Sequence, residues 1–133
     1  MTSDESHSPD AYFYLGRIAR DEGNADEAID DLNKSLAARP DQPDVLAELG
    51  QISVTKRNFK QAADYLNRAI KLEPENYSAN FGLLELYARI GDSRREQQSK
   101  RFEEIKNRKE QWNRDVMRVL EIRPSDNEES AKQ

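Results

Sequence analysis

Few side chains in this sequence could do chemistry. The 133 residues include one histidine, His7, and no cysteine. A lone imidazole in a polar N-terminal stretch offers no Ser–His or Cys–His couple, and the absence of thiols excludes disulfide scaffolds and thiolate metal sites. Carboxylates are plentiful, with pairs at Asp30-Asp31 and Glu103-Glu104, but charge runs on helices are ordinarily solvated faces. There is no Gly-rich phosphate loop and no metal-ligand spacing. Asn33-Lys34-Ser35 and Asn76-Tyr77-Ser78 match the glycosylation tripeptide, which has meaning only in a secreted chain. The expectation is no catalytic residue, no metal, no cofactor and no enzymatic activity. What remains is recognition, and that depends on the elements that hold the side chains.

Composition narrows those elements. The chain is 35% charged and 35% apolar, with a mean hydropathy of -1.04, whereas soluble domains run nearer about 25% charged and 45–50% apolar. Such a lean chain is either disordered or a helical assembly with one thin core. No stretch approaches the ~20 apolar residues of a spanning helix, so no membrane contact is expected. Met1–Asp10 is polar and acidic, unlike a signal peptide; the compartment is left open, with the cytoplasm as the default expectation. Residues 1–92 carry net charge -7, residues 93–123 carry +4 and the last ten carry -2. A basic segment diluted by six acids is a poor nucleic-acid footprint, so no nucleic-acid partner is expected.

An internal repeat decides between the two alternatives. Sliding the chain by 34 residues lays Pro9–Gln42 over Pro43–Asn76 with eleven identities. They include Leu15/Leu49, Gly16/Gly50, Ile18/Ile52, Ala28/Ala62, Leu32/Leu66 and Pro40/Pro74. A third copy begins at Tyr77 and keeps the apolar pattern through Ala79, Leu83, Leu86, Tyr87 and Ile90 before Gly91. Each unit predicts two helices. Ser8 is placed to cap the first, with Pro9 at its first position. Tyr12, Leu15 and Ala19 form its apolar stripe, widened by Ala11 and Ile18, and Gly23-Asn24 ends it. The second helix turns Ala28, Ile29, Leu32 and Leu36 inward and stops at Arg39-Pro40. The next unit repeats the scheme with a turn at Arg57-Asn58 and a stop at Pro74. Gly16 and Gly50 are expected opposite Ala28 and Ala62, letting the paired backbones approach.

The spacing Tyr12-x2-Leu15-Gly16, Ala28-x3-Leu32 and Pro40, matched by Leu46-x2-Leu49-Gly50, Ala62-x3-Leu66 and Pro74, resembles the tetratricopeptide repeat (TPR). The resemblance covers about residues 9–91. It implies an all-α, right-handed α-solenoid of helix-turn-helix repeats, about 2.5 units long, with a long C-terminal capping helix. The expected layout is a disordered tail over 1–8, repeats over 9–42 and 43–76, and the first helix of a third over 77–91. A long basic capping helix over 92–123 and a disordered tail over 124–133 complete it. The pattern departs at Leu84, Glu96 and Arg108, where a small Gly, a small Ala and a Pro are usual.

The resemblance also implies a concave face, lined by the first helices, that binds a peptide or a partner helix. Carried over position by position, the partner-binding set is Phe13, Arg17, Arg20, Gln51, Val54, Phe81, Glu85 and Arg89. Aromatic anchors beside guanidiniums suit a ligand with acidic groups. The Asn and Lys clamp of chaperone-tail binders is absent, since those positions hold Phe13, Arg17, Glu48, Ser78 and Gly82.

After Asp92 no Pro or Gly occurs until Pro124, which allows about 30 helical residues, or roughly 45 Å. Phe102, Ile105, Trp112, Val116 and Val119 recur at alternating spacings of three and four if Lys109 takes one seam position, with Leu120 alongside. The ending Leu120-Glu121-Ile122-Arg123-Pro124 resembles Leu72-Glu73-Pro74, so the helix is expected to stop there. It has two roles to choose between. As a cap it covers the last helix pair, which its polar start favours; alternatively its distal half projects and pairs through Trp112, Val116 and Leu120 as a homodimer. The expected function is a non-enzymatic protein-interaction module binding a peptide or helix in the groove. The alternative is a structural cap of a longer repeat array, self-associating through the long helix.

Overall fold

The computed structural model describes residues 7–132, with side chains as far as Glu121. Residues 1–6 of the expected N-terminal tail and Gln133 lie outside the described residues. The described residues form an all-α solenoid of six helices: α1 (Pro9–Asp21), α2 (Ala25–Ala38), α3 (Pro43–Thr55), α4 (Phe59–Leu72), α5 (Tyr77–Ile90) and α6 (Arg95–Lys132). No strand occurs among the described residues.

Local chemistry sets these boundaries at the repeat period. Ser8 Oγ accepts the Ala11 amide at 3.1 Å with Pro9 behind it, a side-chain N-cap. His7 lies with its ring 5.3 Å from that of Tyr12, so this part of the expected tail belongs to the folded edge. The turns inside the three units fall at Gly23, Arg57 and Gly91, with φ of 83°, 63° and 67°. All three use the left-handed conformation, which costs a non-glycine residue such as Arg57 about 1–2 kcal/mol.

Within a unit the two helices are held close by glycine. A Cβ on Gly16 would stand 2.8 Å from Leu32 Cγ, and one on Gly50 would stand 2.6 Å from Leu66 Cγ. The close neighbour of each glycine is therefore the Leu of the second helix, with the Ala28 carbonyl also near Gly16. Ala19, Ala28, Leu32, Val45, Leu49 and Ile52 form one buried cluster, and Val54, Ala62, Leu66, Leu83, Leu86 and Tyr87 another. The α1 face turned to α2 is Tyr12, Gly16 and Ala19. Leu15 and Ile18, expected in that stripe, stand exposed, because their register belongs to contacts between units.

The long helix differs from expectation at its far end. It continues through Pro124 to Lys132, where a stop and a disordered tail were expected. Pro124 removes one backbone donor, and Leu120, four residues back, is an exposed residue. Glu128, Glu129, Ala131 and Lys132 are all strong helix formers.

Candidate functional site

The residues expected to line the concave face do not form one surface. In α1, Phe13 is half-buried against the first core cluster, and the Arg17 guanidinium lies 5.7 Å over its ring. Arg20 donates a hydrogen bond to Glu48, whose other oxygen is 4.0 Å from Arg17 Nε. Two arginines thus share one carboxylate.

In α3 the expectation fails. Gln51 and Val54 are buried, Val54 inside the second core cluster. The cause is the register position shared by Tyr14, Glu48 and Gly82. Having no side chain there, α5 presses onto α3: a Cβ on Gly82 would lie 2.6 Å from a Leu66 methyl and 3.3 Å from Gln51 Cγ. Gln51 Nε2 donates to the Ser78 carbonyl at 2.8 Å, so it joins two helices instead of facing a ligand. Between α1 and α3 the same position carries Glu48, and the two helices meet through the long Arg20 and Glu48 side chains.

On α5, Phe81 is partly exposed, but its ring lies 5.5 Å from that of Phe102. Glu85 is half-buried and Arg89 exposed. Phe81 therefore belongs with α6, while Phe13, Arg17 and Arg20 gather around Glu48.

Polar contacts fix the start of α6. The Asp92 carboxylate accepts from the Arg94 amide at 2.8 Å and is gripped by its guanidinium at 2.8 and 3.0 Å. These hydrogen bonds from Arg94 hold the Asp92 pKa down to about 2 and raise that of Arg94. Buried Asn80 donates to the carbonyls of Pro74 and Asn76, and accepts from Gln98 and Arg101 of α6. Sequence reasoning missed this anchor. Asn80 occupies the register position of Tyr12 and Leu46, both buried, and a polar residue at a core position of the repeat was the legible signal.

Beyond the anchor the apolar stripe of α6 changes surroundings. Phe102 packs against Tyr77 with ring centroids 5.0 Å apart, and Ile105 is buried beside it in sequence register. The Lys109 ammonium sits 4.4 Å over the Tyr77 ring, as its seam position requires. Further on, Trp112, Met117, Val119 and Leu120 are exposed and Val116 is half-buried. The stripe is thus covered by α5 at Phe102 and Ile105 and exposed from Trp112 to Leu120.

The repeat has sequence relatives. Two tetratricopeptide repeat family models match, one over residues 9–52 and one over residues 48–94. The chain belongs to the tetratricopeptide repeat family. Among 29 solved chains that match is one described as "Crystal structure of MamA", with a TM-score of 0.63 at 21% identity. The match covers 80% of this chain and 61% of that one, so this chain spans about three-fifths of its length and shares its fold. No curated protein matches in sequence. In this TPR chain the matched repeats end at residue 94, beside the Asp92–Arg94 turn, and the exposed half of the α6 stripe lies wholly beyond them. No buried side-chain nitrogen or oxygen lacks a partner among the described residues. They contain no cluster of His, Cys, Asp or Glu able to hold a metal ion, and no helix long and apolar enough to cross a membrane.

Proposed function

We propose that this TPR chain is a non-enzymatic protein-interaction scaffold that binds a helical partner segment along the distal half of α6. One observation carries the reading. On a single stripe, Phe102 and Ile105 are 7% and 6% exposed, whereas Trp112 and Leu120 are 65% and 51% exposed. A helix in water draws most of its stability from packing an amphipathic face, and the distal half has that face without cover in the isolated chain. Trp in an apolar stripe rimmed by charge is the usual composition of a binding hot spot.

The α1 end of the groove supports a second reading. Arg17 and Arg20 share Glu48, and the Arg17 guanidinium lies over the Phe13 ring. An acidic peptide would find a guanidinium and an aromatic ring together there. Affinity capture separates the two readings. The intact chain is compared with a Trp112→Ser, Val116→Ser, Leu120→Ser variant and a Phe13→Ala, Arg17→Ala, Arg20→Ala variant. Partners lost only with the first variant support the α6 surface, and partners lost only with the second assign binding to the groove. Partners retained by both variants would sink both readings.

A further inference from the structure

The two ends of the repeat array are finished differently. Leu15, Leu49 and Leu83 share one register position, and Ile18, Ile52 and Leu86 share another. In α3 and α5 these residues pack against the preceding unit and are at most 6% exposed. In α1, Leu15 and Ile18 are 39% and 53% exposed, with Tyr14 exposed beside them. α1 therefore presents the receiving half of a unit-to-unit interface, one helix wide and apolar. At the other end, α6 closes over α5 with buried Phe102 and Ile105 and turns Lys100, Glu103 and Glu104 to water. All three are exposed, and burying such charges without partners is costly.

Resting on the reading that distal α6 is the interaction surface, we propose that its partner is a second copy of this chain. The receiving surface is the α1 stripe of Tyr14, Leu15 and Ile18, and the contact is made twice, reciprocally. By its place after α5, α6 is the second helix of its unit, and second helices supply Leu32 and Leu66 to the cores that bury this stripe in α3 and α5. Both bare stripes are one helix wide, so each is the right size for the other. Charge agrees: residues 1–92 carry -7 and residues 93–123 carry +4. Pairing α6 with α6 would leave both α1 stripes bare and set like-charged helices together. Two reciprocal contacts close a two-fold pair with no free ends.

The chain has no native cysteine, so single reporters are clean. A Leu15→Cys protein is mixed with an isotopically heavy Val119→Cys protein and oxidised, and the cross-linked species are identified by mass. The expected product joins the two variants, each contributing one chain. Sedimentation across a concentration series should show the unmodified chain moving to twice its 15.4 kDa mass. Leu15→Arg and Trp112→Ser, both at exposed positions, should each return it to the single-chain mass with helical circular dichroism unchanged. Self-linking of Val119→Cys in preference to linking with Leu15→Cys overturns the proposal, as does a single-chain mass at every concentration. If the chain is a monomer but captured partners still depend on Trp112, Val116 and Leu120, this pairing fails and the broader reading stands. If the capture is also indifferent to them, both fail.

Discussion

Phe102 and Trp112 stand on one stripe of α6, and only Phe102 is covered. The stripe itself does not change character between them. What changes is the neighbour: Tyr77, Phe81 and Asn80 of α5 lie under the first half, and the second half is exposed at Trp112, Val119 and Leu120. The same residue types thus serve the fold in one half and stand exposed in the other. The two halves should respond oppositely to equivalent changes.

Truncation gives the largest contrast. Phe102→Ala is expected to destabilise the chain by about 3 kcal/mol, the cost of emptying a buried aromatic site. Trp112→Ala should change stability by no more than about 0.5 kcal/mol, as exposed substitutions do. Denaturant unfolding of the two variants checks both; equal losses would erase the distinction between the halves.

The polar anchor comes next. Asn80→Ala removes the side-chain oxygen that accepts from Gln98 and Arg101 and the amide donor to the Pro74 and Asn76 carbonyls, while the Asn80 backbone carbonyl keeps its bond from Gln98. A loss of about 2 kcal/mol is expected from groups left unsatisfied. Hydrogen exchange should quicken over the first turns of α6 before it quickens in α3 or α4.

A smaller effect marks the boundary between the halves. Lys109 covers Tyr77 from the last position at which α6 still touches α5 in this way. Lys109→Ala should cost about 0.5 kcal/mol, the usual value of an exposed cation–π contact. It should also move the edge of amide protection in α6 toward Phe102, with no change in α1 or α2.

The smallest effect is at the turn that starts α6. Because the Arg94 hydrogen bonds hold the folded-state pKa of Asp92 to about 2, below its ordinary value, their stabilising contribution is complete above the ordinary carboxylate pKa. It is lost as pH falls through that value toward the folded one. Titration of the Asp92 carboxyl by NMR should give a midpoint near 2 that rises toward the ordinary value in Arg94→Gln.

Much of this architecture was legible because the repeat states it three times. The 34-residue period fixes the helix pairs, and it places Gly23, Arg57 and Gly91 at the same left-handed turn even though one of them is not glycine. The switch in α6 was legible as a pattern, since its seam outlasts one repeat. The groove was not. Val54 and Gln51 are inside because Gly82, 28 and 31 residues downstream, lets α5 press onto α3, and local spacing does not reveal such a consequence. Arg17 and Arg20 looked free for a ligand because nothing in sequence links them to Glu48. Asn80 carried a signal, a polar residue where Tyr12 and Leu46 are buried, but its partners Gln98 and Arg101 lie in a helix whose start reads as wholly polar.

Trp112 is the only tryptophan, so its fluorescence reports on the distal half of α6 and on nothing else. The decisive measurement is its emission maximum and its quenching by acrylamide as the binding partner, or the chain itself, is titrated to saturation. The α6 reading predicts water-exposed emission in the free chain, moving to shorter wavelength with quenching reduced severalfold in the complex. Emission and quenching that stay unchanged while binding saturates would contradict it.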